Sequence, residues 1–274
     1  MSLYFAWLIF YSTRHLKLLH QNLHFPLLPK AFDGLRICQL TDLHLGSFGS
    51  RAKYIRRIIE NALAEKPDLI LFTGDLVNFN SNEALPYREL LARLKAPLGV
   101  FSILGNHDYL LHGHFKGEER TRDMQRLRDL ERQVGWELLE DSNVLLEKDG
   151  ERIALAGVGN VSSNPYFARM GGKLEKALAG IPEGVFTILL SHDPSHWRAE
   201  VLQHEGVSLT LSGHTHGLKY KLAGLRPSHW KLHESGGVYR EKHQVLHVSQ
   251  GLGSAFAFRL GGFPKIDILT LKRN

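Results

Sequence analysis

Residues Leu35-Arg36-Ile37-Cys38-Gln39-Leu40-Thr41-Asp42-Leu43-His44 set a short apolar run against an abrupt polar corner. The run, flanked by Leu35 and Leu40, is too short for a helix and reads as a buried strand ending at Thr41. A carboxylate and an imidazole then follow two residues apart. The same phrase recurs along the chain. Leu69 to Thr73 leads to Gly74-Asp75, and Gly99 to Leu104 leads to Gly105-Asn106-His107-Asp108. Val185 to Ser191 leads to His192-Asp193, and Val207 to Ser212 leads to Gly213-His214-Thr215-His216-Gly217. Four further strands read at Asn143 to Glu147, Ile153 to Val158, Gln244 to Ser249 and Ile266 to Leu271.

Between them, Ser50 to Lys66 carries Ile55, Ile58, Ile59 and Leu63 at helical spacing, and Glu83 to Leu94 does likewise. Glu118 to Val134 spaces Met124, Leu127 and Leu130 on a highly charged segment, the pattern of an amphipathic surface helix. Its five arginines are interleaved with acids, which argues against a nucleic-acid face. The alternation predicts an α/β fold, and the clustering of the later strands predicts two sheets packed face to face.

The 274 residues are 43% hydrophobic and 23% charged, with a formal net charge of +6, which excludes disordered, collagen-like and multispanning membrane classes. The single cysteine, Cys38, permits no intramolecular disulfide and reads as a core thiol. Leu3 to Tyr11 is an apolar, aromatic run followed by Arg14, His15, Lys17 and His20. Nine residues cannot cross a bilayer, so three readings fit: a helix packed on the core, an interfacial anchor, or the stump of a longer membrane segment. Residues 1–29 are therefore read as an N-terminal segment and 30–274 as one domain.

In α/β sheets, loops at the carboxyl ends of strands converge on ligands, so the five corners can meet. Their side chains are imidazoles, carboxylates and an amide without sulfur, a set suited to Mn, Fe, Co, Ni or Zn. Asp42, His44, Asp75, Asn106, His192, His214 and His216 exceed one ion's needs, and two ions sharing a carboxylate is the economical solution.

Asp42-x-His44, Gly74-Asp75, Gly105-Asn106-His107-Asp108, His192 and Gly213-His214-x-His216, in this order, resemble the calcineurin-like metallophosphoesterases. The resemblance implies a four-layer α/β/β/α sandwich with two mixed sheets. It implies one divalent ion on Asp42, His44, Asp75 and His216, and a second on Asp75, Asn106, His192 and His214. His107 is then the general acid that, with Asn106, meets the substrate phosphate, and Asp108 is its orienting partner. The implied reaction is hydrolysis of a phosphodiester or pyrophosphate by a hydroxide bridging the two metals. No phosphate-binding Gly-x-x-x-x-Gly-Lys loop is present, which favours hydrolysis over nucleotide-dependent transfer.

Asn78 stands where iron-containing purple acid phosphatases have tyrosine, so no tyrosinate–iron colour is expected. The tail, with Gly236-Gly237-Val238-Tyr239 and Val248 to Gly253, is similar to small bacterial phosphodiesterases that often follow a membrane segment or export signal. Lys219, Tyr220 and Trp230, in the basic and aromatic stretch after His216, read as substrate contacts or as a solvated loop with Trp230 in the core. Phe256, Phe258 and Phe263 read as core or as an apolar lip to the cleft. The expected substrate is a lipid-linked or cell-envelope phosphoester at an anionic membrane surface, in a bacterial protein peripheral to the membrane or cytoplasmic. A small soluble phosphoester such as a cyclic nucleotide is the alternative. A nuclease or a non-catalytic scaffold fits less well, and no protein partner is expected.

Overall fold

The computed structural model describes residues 15–49, 51–162, 170–216, 233–254 and 263–274. They build two mixed sheets of six strands each. In spatial order the first holds β1 (Lys17–Phe25), β12 (Lys265–Arg273), β2 (Arg36–Leu40), β3 (Leu69–Phe72), β4 (Val100–Ser102) and β5 (Glu137–Leu138). The second holds β10 (Gly237–Glu241), β11 (Gln244–Val248), β9 (Val207–Ser212), β8 (Thr187–Leu190), β7 (Glu151–Gly157) and β6 (Ser142–Lys148).

The twofold alternation of side chains along each strand generates the layers. Cys38, Leu40, Ile70 and Phe72 face α1 (Ala52–Ala64), α2 (Arg88–Leu91) and α3 (Gly117–Gln133). Their neighbours Ile37, Leu69 and Leu71 turn the other way, onto Leu155, Ile188, Leu190, Leu209 and Leu211 of the second sheet. Beyond that sheet, Ala156, Leu189 and Leu246 pack on α4 (Leu174–Leu178) and α5 (Ser195–Ala199). The result is the expected four-layer α/β/β/α sandwich.

Strands β2, β3 and β4 are mutually parallel, as are β7, β8 and β9, so each set delivers its carboxyl ends to one side. Strand β12 runs antiparallel to β2, with Asp267 opposite Gln39, so it begins at the end where β2 leads to Asp42. Strand β1 runs parallel to β12, Lys17 opposite Lys265, and therefore enters the sheet at that same end.

The sheet thus starts earlier than the boundary at residue 30 predicts. Residues 17–25 are an edge strand of the domain, while the apolar run from Leu3 to Tyr11 lies outside the described residues. The predicted helix over Glu83 to Leu94 is instead two tight turns, Ser81–Glu83 and Leu85–Tyr87, followed by α2; Pro86 lacks the N–H a continuous helix needs. Helix α3 forms as predicted, but two of its acids are not on the solvated face. Asp123 is buried and accepts hydrogen bonds from the Ser81 amide and hydroxyl. Glu131 is buried and accepts one from the Ser102 hydroxyl. Among the described residues, no helix is long and apolar enough to cross a membrane.

Burial pushes the Glu131 carboxyl up to about 8, against the pull of the Ser102 hydroxyl. Between about pH 4.5 and 8 the unfolded chain releases this proton while the folded chain keeps it, so stability falls as pH rises and levels off above that window. Glu131→Gln removes the effect. Its melting temperature, relative to wild type, should climb steadily from pH 4.5 to 8; a pH-independent difference would show that Glu131 is ionised in the fold.

Candidate metal centre

Five corners meet between the sheets. Asp42 and His44 follow β2, Asp75 follows β3, and Asn106 and His107 follow β4; His192 follows β8, and His214 and His216 follow β9. Asp42, His44, Asp75, His214 and His216 all have φ between 49° and 69°, the left-handed region that costs a side-chain-bearing residue energy unless its surroundings hold it there. Here the backbone holds it: Asp42 N donates to Gly74 O at 2.9 Å, His44 N to Asp75 O at 3.1 Å, and Gly253 N to Asp42 O at 2.6 Å. Two glycines make the approach feasible. A Cβ on Gly105 would stand 2.3 Å from Asp75 Oδ1, and one on Gly213 would stand 2.1 Å from Thr41 Oγ1.

The side chains form three interlocking groups, Asp42–His44–His216, Asp75–His192–His214 and, sharing a residue with each, His44–Asp75–His107. His216 Nε2 lies 3.4 Å from Asp42 Oδ1 and 3.3 Å from His44 Nε2. Asp75 Oδ2 joins the groups, 3.5 Å from His44 Nε2 and 3.2 Å from His192 Nε2. Its other oxygen accepts the His107 amide at 2.8 Å. Asn106 Oδ1 meets His214 Nδ1 at 2.8 Å, so all seven predicted ligand residues converge.

Hydrogen bonds fix which ring nitrogen faces inward. His192 Nδ1 donates to Thr73 O at 2.7 Å and His44 Nδ1 to Asn78 Oδ1 at 2.9 Å, leaving both Nε2 atoms for a ligand. His192 Nε2 and Asp42 Oδ1 are buried without a hydrogen bond, an expensive arrangement that a cation bound at each would relieve. Burial lowers the His44 pKa to about 3, keeping it a neutral donor. Burial alone would raise Asp75, but His192, His107 and His44 around it hold its carboxyl well below the usual range. Burial opposes a charge on His192, yet Asp75 and Asp42 raise it to about 10, so in the metal-free protein Nε2 carries a proton that a cation drawn by the same two carboxylates would displace. The imidazole, carboxylate and amide donors fit divalent cations on that exchange.

The expected pairing of Asp108 with the His107 ring is not formed. Asp108 is buried beneath the loops, where its oxygens accept the amides of Asp75, Leu76, Val77 and Gly105 at 2.7–3.1 Å. It binds the two loops to each other, and the His107 ring is oriented by Asn78, whose carbonyl accepts from Nδ1 at 3.0 Å. Asn78 therefore holds two histidines, His44 by its side chain and His107 by its backbone. Its place three residues after Asp75, where purple acid phosphatases carry tyrosine, is the sequence signal for this role. Asp193, 3.7 Å from His214 Nε2, is a second neighbour of the site that the motif reading passed over. Lys219, Tyr220 and Trp230 lie outside the described residues, as do Phe256 and Phe258.

The calcineurin-like phosphoesterase family model matches residues 35–218. The chain is 30% identical over 257 residues to a transmembrane protein with metallophosphoesterase domain from Danio rerio, covering 90% of this chain and 55% of that protein. It is likewise 30% identical to the uncharacterized metallophosphoesterase YkuE of Bacillus subtilis, over 90% of this chain and 82% of that one. With the UDP-2,3-diacylglucosamine pyrophosphatase LpxG of Chlamydia muridarum it shares 25% identity, over 88% of this chain and 86% of the other. The chain thus spans about half the length of the fish relative, and its relatives include animal as well as bacterial proteins, so a bacterial source does not follow from them.

Asp108→Asn keeps size and removes one acceptor oxygen, leaving buried amides unpaired at roughly 1–3 kcal/mol each. The variant should melt at a clearly lower temperature than wild type. Unchanged stability with lost turnover would restore Asp108 to the role of orienting His107.

Proposed function

Since the chain belongs to the calcineurin-like phosphoesterase family, and so to the phosphoester hydrolases, we propose that it works with two divalent transition-metal ions on a lipid-linked phosphodiester or pyrophosphate. Asp42, His44, Asp75 and His216 would hold one ion, and Asp75, Asn106, His192 and His214 the other. The observation that carries this reading is the single buried oxygen, Asp75 Oδ2, lying between the imidazoles of His44 and His192. Such ions would supply Lewis acidity, lowering the pKa of a bound water and offsetting charge on phosphoryl oxygens.

The protein's own groups do the rest. His107, tethered through Nδ1 to the Asn78 carbonyl, turns Nε2 to the substrate and gives its proton to the leaving oxygen. The Asp75 carboxylate accepts the His107 amide and so fixes the distance between that ring and the ligand cluster. Asp108 keeps the loops carrying Asp75 and Asn106 in register.

Four features support a membrane-borne substrate. The apolar run from Leu3 to Tyr11, followed by basic residues, suits the headgroup region. It precedes a strand whose first residue, Lys17, lies at the sheet end that carries the ligand corners. Lys17 Nζ sits 4.0 Å above the ring of Phe263, which joins this entry point to the aromatic stretch after Gly253. The Chlamydia relative, by its name, acts on a diacylated sugar nucleotide.

Metal analysis of the loaded protein should give two ions per chain. Asp75→Asn should weaken both sites together, while His107→Asn should keep the metal and lose roughly 10²–10⁴-fold in turnover on a poor leaving group. One ion per chain bound independently of Asp75, or metal loss from His107→Asn, would overturn these assignments.

Co-sedimentation with phosphatidylglycerol vesicles checks the membrane reading. The full chain should bind reversibly and be released by high salt; a chain starting at His15, which keeps β1, should stay in the supernatant. If neither binds and soluble diesters are cleaved far faster than lipid-linked ones, the substrate is a small soluble phosphoester.

A further inference from the structure

Four imidazoles stand in a row that leads out of the cluster. The rings of His216 and His44 are 5.1 Å apart, those of His44 and His107 4.8 Å, and those of His107 and His112 4.8 Å. Along the row from His44 the side chains pass from buried through half-buried His107 to exposed His112. The first two belong to the ligand cluster and the third faces the leaving oxygen. His112 has no assigned task, and the motif reading stops at Asp108.

Its position is built by the backbone. Leu110 takes a left-handed conformation that ends the turn His107–Tyr109, and Gly113 N donates back to Leu110 O at 3.2 Å. Gly113 lies against the Phe79 carbonyl so closely that a Cβ there would sit 2.3 Å from the oxygen. Phe79 follows Asn78, the residue that orients both His44 and His107. One loop contact therefore sets His112 in register with the two histidines further in.

We infer that His112 is a specificity-determining residue, an N–H donor for a second phosphate carried by the leaving group, which makes the preferred substrate a pyrophosphate over a simple diester. The inference rests on the reading of His107 as the group facing the leaving oxygen. From there, the next donor along the row stands beside whatever that oxygen is attached to. A leaving phosphate offers further charged oxygens to an imidazole N–H, whereas a simple alcohol leaving group offers only the neutral oxygen that His107 already serves. Hydrolysis of the anhydride balances simply. Water gives hydroxide to the scissile phosphorus, the bond to the bridging oxygen breaks, and its electron pair leaves with the second phosphate. That phosphate takes the His107 proton, and the proton released from water restores His107. The same segment continues with His114 and Lys116, both exposed, and holds no acid between Asp108 and Glu118.

The test uses the full metal-loaded chain as wild type, His112→Ala and His112→Gln. Calorimetry compares methylenediphosphonate, a non-hydrolysable diphosphate, with orthophosphate. The alanine variant should bind the diphosphonate about tenfold more weakly, the worth of one hydrogen bond to a charged group, with orthophosphate affinity unchanged; glutamine, which keeps an N–H donor, should recover most of it. In turnover, His112→Ala should raise KM for a nucleoside diphosphate sugar and leave bis(p-nitrophenyl) phosphate within twofold of wild type. Equal losses on both substrates and both anions would mean that His112 only buttresses His107, and no loss on either would remove it from the site. Wild-type protein that cleaves no phosphoester would instead refute the proposed function, while the ratio of anion affinities would still decide the inference about His112.

Discussion

The site depends on keeping one carboxylate ionised without water. Asp75 is buried, and an isolated carboxylate in that position would protonate or unfold its surroundings. The fold spends imidazoles on it, His192 and His44 at 3.2 and 3.5 Å, and a backbone amide on its other oxygen. Everything nearby follows from bringing those partners within reach. Two glycines give up side chains so that loops can touch, and five residues accept left-handed backbone. Asp108 spends all its hydrogen-bonding capacity on four amides so that the loops carrying Asp75 and Asn106 cannot separate.

A second polar element joins the sheets behind the site. Gln39, buried on the inner face of β2, donates to Thr73 Oγ1 and to Ser212 O, and accepts from His247 Nδ1 at 2.7 Å. Between apolar layers, sliding is resisted only by shape, whereas a buried hydrogen-bonded group penalises any displacement that breaks it. Gln39 is three residues from Asp42, and Ser212 two from His214, so the link that sets the sheets in register also sets the two halves of the ligand cluster.

Much of this was legible in the amino-acid order. Strand cores such as Leu69 to Thr73 are apolar on both faces because both are covered, and ligand-type corners follow them, so fold class and all seven convergent residues could be read directly. Elements that lack that signature were missed. Strand β1 exposes much of one face as an edge, β5 has only two paired residues, and β10 is half-buried with Arg240 and Glu241 near its end. Roles carried by backbone groups were missed too. Nothing in the adjacency of His107 and Asp108 reveals that one side chain turns toward the cleft and the other beneath the loop, and the carbonyl of Asn78 leaves no mark in residue type. Glu131 looked like one more charge on a charged helix, and only the position of Ser102 shows which face it lies on.

The placement of β12 between β1 and β2 bears on how the molecule comes together. Among the described strands β1 pairs only with β12, from which almost the whole described chain separates it. During synthesis β2, β3 and β4 can pair in order as they emerge, but the far edge of β2 stays open until β12 arrives, and β1 must wait unpaired for the same event. Closing that gap is a contact of very high sequence separation, of the kind that slows folding. It also orders assembly. Leu252 N and Gly253 N, which bond the carbonyls of Thr41 and Asp42, lie just ahead of β12, so the last strand to dock brings the final backbone bonds to the metal-site corner. A nascent chain would then leave the corner carrying Asp42 unfinished until β12 docks on β2.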